Sequence, residues 1–102
     1  MKKIEAIIRR TRFEDVKEAL LAADIGRIYR GIVYDTSSIE RILISIVVRD
    51  KNVEKTVQAV MQAARTGEIG DGRIFIIPVE DSIRIRTGER GDIALYNAEQ
   101  EK

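Results

Sequence analysis

The sequence predicts an α+β fold of the split βαβ kind: βαββαβ in order with an extended C-terminal segment, the ferredoxin-like pattern. Three observations predict it. Strand-like stretches recur near residues 3–9, 28–34, 40–49 and 74–79. Two stretches with apolar spacings of three and four separate the first strand from the second and the third from the fourth. The 102 residues suffice for one modest core, so 1–102 is read as a single domain.

The elements follow in order. In 3–9, Ile4, Ala6 and Ile8 share one face and Ile7 the other. Thr11 and Glu14 have the spacing of a capping box, and Phe13, Val16 and Leu20 then form one stripe, so 12–23 reads as an amphipathic helix with Gly26 as its stop. Residues 28–34 are β-prone, and Asp35-Thr36-Ser37-Ser38 is turn chemistry, because these side chains bond their own backbone. In the third strand Ile42, Ile44, Ile46 and Val48 line one face, and Leu43, Ser45 and Val47 the other. A strand apolar on both faces is expected to be covered on both, by helices or by another subunit. Asn52 stands where a helix cap belongs, ahead of the stripe Val53, Val57, Val60, Ala64. Beyond the strand at 74–79, Ile83 and Ile85 alternate with Arg84 and Arg86. An extended chain there sends both guanidiniums to one side. Residues 97–102 read as a frayed tail.

Composition excludes several functions. There is no Cys and no His, which removes disulfides, thiol or imidazole catalysis and the usual zinc sites. A net charge of +1 argues against nucleic-acid binding by bulk charge, and the five aromatics (Phe13, Tyr29, Tyr34, Phe75, Tyr96) lack the spacing of an RNA-stacking platform. No apolar run approaches the roughly 18–20 residues of a membrane span, and Met-Lys-Lys opens no signal peptide, so the expected location is cytoplasmic. Among the 18 basic residues 12 are arginine, whose planar fork suits phosphate and carboxylate.

Two constellations stand out. Thr66-Gly67-Glu68-Ile69-Gly70-Asp71-Gly72-Arg73 packs three glycines and an aspartate between a helix end and a strand. Glycines let successive amides converge on an anion, and Arg73 adds a fork to a phosphate. The Gly-Lys-Ser/Thr ending of a Walker loop is missing. Read structurally, the same segment is a helix cap and a tight turn. Arg84 and Arg86, with Arg90 nearby, repel one another unless an anion lies between them; otherwise they belong to a solvated edge strand. Together the two favour polyphosphate. Arg9, Arg10 and Arg12 read as a solvated strand-to-helix loop. No catalytic residue is identified: Ser and Thr lack a neighbouring base, the adjacent Glu80 and Asp81 point apart in a strand, and no acidic cage for a metal is apparent.

The chain resembles the PII family of nitrogen-regulatory signal transducers. The resemblance rests on Met1 to Ile8, Tyr29-Arg30-Gly31, Ala63 to Phe75 and Ile83-Arg84-Ile85-Arg86-Thr87-Gly88-Glu89-Arg90-Gly91, and the last two stretches are the most specific. It implies a homotrimer of ferredoxin-like subunits, not enzymes, in which ATP and ADP compete for clefts between neighbours, with Mg²⁺ accompanying ATP. By the same resemblance Gly70, Asp71, Gly72 and Arg73 wrap the phosphates, with Thr66 in that loop, Arg84 and Arg86 complete the cleft, and Ile7 and Val47 touch the base. Tyr34 matches a tyrosine that some members have uridylylated, and Arg41 falls where many place a lysine that meets 2-oxoglutarate. Implied partners are an ammonium channel or an enzyme of nitrogen metabolism.

The departure from the pattern follows Ile25. The family there has a second strand and the first half of a long loop, the T-loop, and about seventeen residues are missing. They would carry the glutamine that helps hold Mg²⁺ and 2-oxoglutarate, and the tip that plugs ammonium channels. The Ile25–Gly26 junction is a natural shortening, an engineered deletion or a gap at which intervening residues are left out. In the first two cases residues 27–34 take the second-strand role, with 35–38 as turn. The alternative function is a trimeric interaction scaffold that has lost 2-oxoglutarate sensing with its shortened loop. Slow ATP hydrolysis is disfavoured for want of a general base.

Overall fold

In the computed structural model, which describes residues 1–25 and 27–95, four strands form one antiparallel sheet in the order β2-β3-β1-β4. They are β1 (Lys2–Arg9), β2 (Tyr29–Tyr34), β3 (Glu40–Val48) and β4 (Arg73–Pro78); α1 (Phe13–Ala22) and α2 (Val53–Ala64) connect them. This is the ferredoxin-like order expected from the sequence. Register follows the apolar alternation. Ile4 faces Ile46 and Ile76 across its two ladders, Ala6 faces Ile44 and Ile74, and Ile8 faces Ile42. Except for Ile76, which is 49% exposed on the edge strand, these side chains share the helix-covered face and cluster with Val16, Leu20, Ile25, Val60 and Ala64. Each large aliphatic buried there contributes about 1.5–3 kcal/mol. Thr56, fully buried among them, donates its hydroxyl to the Asn52 carbonyl at 2.7 Å.

The residues after Ile25 do occupy the second-strand position. Tyr29–Tyr34 pairs with β3 from Tyr29↔Ser45 to Tyr34↔Glu40. The turn is an Asx-type loop: Asp35 Oδ1 accepts the amides of Ser37 (2.9 Å) and Ile39 (3.2 Å) and the Ser37 hydroxyl (2.6 Å), and Ser38 takes φ 65°. The junction at Gly26 and the tail from Tyr96 lie outside the described residues.

Several local expectations are corrected. Thr11 and Glu14 form no capping box. A 3-10 turn (Arg10–Arg12) leads into α1, Arg12 holds the cap position without a side-chain cap bond, and Glu14 pairs with Lys17 at 3.0 Å. The stop of α1 is Asp24, not Gly26. Asp24 has φ 65°, its amide donates to the Leu21 carbonyl (3.0 Å), and that of Ile25 donates to the Leu20 carbonyl (2.8 Å). That pair of bonds is a Schellman motif, closed by the buried contact partners Leu20 and Ile25. Asn52 takes the cap position of α2, again without a side-chain cap bond, after a 3-10 turn (Asp50–Asn52). The alternation at 83–86 is not realised as a strand. Ile83 bridges Arg90 and the chain turns at 85–87, with the Arg84 carbonyl accepting the Gly88 amide at 2.7 Å. A 3-10 turn (Gly91–Leu95) follows.

Candidate functional site

The segment between α2 and β4 is built around Asp71. Its Oδ2 accepts the amides of Thr66 and Gly67, both at 2.9 Å, and its Oδ1 accepts the Thr66 hydroxyl (2.5 Å) and Arg9 Nε (3.2 Å). Bonds from Thr66, first its hydroxyl and then its amide, hold the carboxyl far below the ordinary carboxylate range, with Gly67 and Arg9 adding to them. Asp71 therefore organises the loop. The Glu68 amide turns to the Thr66 hydroxyl oxygen at 3.2 Å, whereas those of Ile69, Gly70 and Asp71 make no hydrogen bond among the described residues. Gly67, Gly70 and Gly72 have φ of 90°, 103° and 102°. Only at Gly72 does the neighbourhood forbid a side chain outright: a Cβ there would lie 1.7 Å from the Ile7 carbonyl oxygen. Gly72 thus seats the loop against β1, and exposed Arg73 begins β4 beside it, opposite Ile7.

Two arginines hold this loop from the sheet. Arg9 and Arg41 face each other across β1 and β3. Arg9 Nη2 donates to the Ile69 carbonyl at 2.9 Å, and Arg41 Nη1 to the Gly70 carbonyl at 2.9 Å. Facing guanidiniums repel, and each has an acid against it: Asp71 for Arg9, and for Arg41 the Asp35 carboxylate of the β2–β3 turn, 3.8 Å from Nε. Arg9 is thus a clamp, not part of a solvated loop. Arg10 lies exposed, 3.8 Å from Glu40, and Arg12 pairs with Asp15 at 3.3 Å. The signal for Arg9 was its place at the end of a strand whose apolar register sets it opposite Arg41.

The remaining predicted residues are dispersed. Arg84 is held by its own hairpin, through Glu89 Oε1 and the Ile93 carbonyl (2.7 Å). Arg86 is exposed, and among the described residues its guanidinium makes no hydrogen bond or ion pair. The turn at 85–87 replaces the extended chain whose alternation would have set the two guanidiniums on one side. Ile7 and Val47 lie half-buried on the face that the helices leave bare, together with Leu43. Ile7 pairs with Leu43 and Lys3 with Val47, so Ile7 and Val47 stand four residues apart along the strands, about 13 Å. Tyr34 ends β2 with its ring largely exposed. Among the described residues no group of three or more Asp or Glu could hold a metal ion, and no helix is long and apolar enough to cross a membrane.

Removing the Asp71 charge isolates its role. A carboxylate whose folded pKa is depressed contributes stability that is fully present above its ordinary value of 3.8 and is lost as the pH falls below it. Asp71→Asn is therefore expected to lower stability at neutral pH, with the deficit against wild type shrinking as the pH drops below about 4. Urea unfolding at a series of pH values reads this; a deficit that stays constant would contradict it.

The profile of the family described as Nitrogen regulatory protein P-II matches residues 1–89. A protein of that name from Cereibacter sphaeroides is 45% identical over 112 positions, covering 93% of this chain and all of the relative. Nitrogen regulatory protein P-II 1 of Methanothermobacter thermautotrophicus is 42% identical, with 93% and 97% covered. Since 93% of 102 residues is about 95, about seventeen of the 112 positions have no counterpart here. A crystal structure of Arabidopsis thaliana PII bound to citrate superposes with a TM-score of 0.87 at 42% identity, covering 91% of this chain and 90% of the other.

Proposed function

Because this chain belongs to the P-II family of nitrogen regulatory proteins, we propose that it is a non-enzymatic, cytoplasmic signal transducer, a single-domain subunit of a homotrimer that binds ATP or ADP between protomers. The observation that carries the reading is the loop itself: unbonded amides at Ile69, Gly70 and Asp71, with the Ile69 and Gly70 carbonyls held by Arg9 and Arg41, and with Arg73 exposed at the start of β4. Such a nest of amides suits an anionic phosphate. Any Mg²⁺ would arrive with ATP.

The arrangement argues for a site shared between chains. A purine cannot touch Ile7 and Val47 of one subunit across about 13 Å, so a base contacting both takes them from two copies. Arg86, exposed and without a bonded partner among the described residues, would be available to close a neighbour's cleft, while Arg84 is held by Glu89. Nucleotide state would then bias a surface that meets an ammonium channel or an enzyme of nitrogen metabolism.

Calorimetry with ATP and ADP tests the reading; a folded trimer that binds neither would end it. Arg86→Ala is expected to weaken binding by about 1–3 kcal/mol, the size of a hydrogen bond to a charged group. Unchanged affinity would remove Arg86 from the cleft. One observation favours the second reading, a scaffold without 2-oxoglutarate sensing: Arg41 is already engaged by Gly70 and Asp35. Affinity for ATP that is indifferent to added 2-oxoglutarate would support it.

A further inference from the structure

The start of α1 and the edge strand β2 border a cleft of about 300 Å³, lined by Phe13, Glu14, Lys17, Ile28 and Arg30. None of these residues belongs to the glycine loop or to the 83–91 hairpin. Arg30 stands opposite the buried Ile44 in the ladder, which puts it on the helix-covered side of the sheet. Phe13 and Ile28 pack against the core and give the cleft a half-buried apolar floor, whereas Glu14 and Arg30 are exposed. Arg30 lies over the Phe13 ring, its Cζ 4.7 Å from the centroid. Among the described residues its N–H groups make no hydrogen bond or ion pair. The one acid of the cleft is engaged elsewhere: Glu14 pairs with Lys17 at 3.0 Å.

We propose that this cleft is a binding site for a small monocarboxylate with a short apolar tail, separate from the glycine loop and independent of the nucleotide reading. Arg30 takes the carboxylate. A planar guanidinium offers two parallel N–H bonds to a carboxylate, and stacking on a ring engages its face while leaving those in-plane donors available. The tail lies on Phe13 and Ile28, whose apolar surface it removes from water. Charge sets the class. Two cations against one carboxylate leave the cleft a single positive charge, which a monoanion neutralises. A dianion would bring its second charge toward Glu14. The volume stands at the lower end for ligand sites, which suits a small molecule.

The test is a titration of the full chain with sodium hexanoate, read by amide and methyl resonances. Hexanamide (same tail, no charge), acetate (same charge, almost no tail) and inorganic phosphate serve as comparisons. Hexanoate is expected to give saturable shifts centred on Phe13, Lys17, Ile28 and Arg30. Acetate, hexanamide and phosphate should each bind at least about five-fold more weakly, for want of apolar contact, of charge and of charge match respectively. Arg30→Gln should weaken hexanoate binding by about tenfold, the size of a hydrogen bond to a charged group. Arg30→Lys, which keeps the charge and loses the fork, should recover only part of that. Arg30 is exposed on an edge strand, so both variants should fold, and the dispersion of their spectra checks it. Equal binding of hexanoate and hexanamide would overturn the proposal, as would phosphate binding at least as tightly, shifts that never saturate, or an affinity unchanged in Arg30→Gln. A chain that binds hexanoate here and no ATP would sink the nucleotide reading and leave this site standing.

Discussion

Gly72→Ala is expected to destabilise the protein by about 3–5 kcal/mol and to abolish whatever the glycine loop binds. Two costs add. The backbone at Gly72 has φ 102°, a conformation that an L-residue adopts only with strain, and the new Cβ would lie 1.7 Å from the Ile7 carbonyl oxygen and 2.8 Å from its carbon. Those atoms are backbone in the strand that pairs with both β3 and β4, so they cannot rotate away. Relief requires opening the β1–β4 ladder at Ile7↔Arg73, which moves Arg73 and the loop together. Gly67→Ala is the control. It also has positive φ, but a Cβ there meets nothing within 4 Å, so its cost is about 1–2 kcal/mol of conformational strain. Urea unfolding separates the two; a Gly72→Ala cost no larger than that of Gly67→Ala would show that the loop does not rest on β1.

Ile44→Ala is the second large effect, expected at about 3–5 kcal/mol. Ile44 is fully buried in the middle of β3, and its partner on β1 is Ala6, too small to fill the vacated space. With Val16, Leu20 and Val60 in the same core, little is free to collapse into the cavity. Ile44→Val removes one methylene and should cost only about 0.5–1.5 kcal/mol. Because domains of this kind are held by about 5–15 kcal/mol in total, the alanine variant should melt far below wild type, and a loss under about 1 kcal/mol would contradict the assigned core.

The sheet was legible in the sequence because strand pairing here follows apolar alternation, a period that survives without tertiary knowledge. Ile4, Ala6 and Ile8 on β1 and Ile42, Ile44 and Ile46 on β3 announce both the strands and their buried face. Helix ends were less legible. The Thr11–Glu14 spacing suits a capping box, yet 3-10 turns satisfy the entry to each helix, and an aspartate at φ 65° makes the stop expected of a glycine. The glycine loop was legible as a cluster of residues with special backbone needs, but its construction was not. Asp71 accepts four donors and serves as the post around which Thr66, Gly67 and Arg9 are arranged. Arg9 and Asp35 acquire their roles from contacts 62 and six positions away along the chain, the first invisible to local patterning. The alternation at 83–86 suggested a strand, but Gly88 and the Thr87–Glu89 bonds turn the chain back instead.

On the proposed reading, a nucleotide's phosphates lie on the glycine loop of one chain and under the arginines of another. A crystal structure of the protein grown with ATP and Mg²⁺ tests it most directly. The expected result is a trimer with triphosphate oxygens about 2.7–3.1 Å from amides in the 69–72 stretch of one protomer and within reach of Arg86 of its neighbour. A nucleotide bound elsewhere, or held by the loop and Arg86 of one and the same chain, would contradict it.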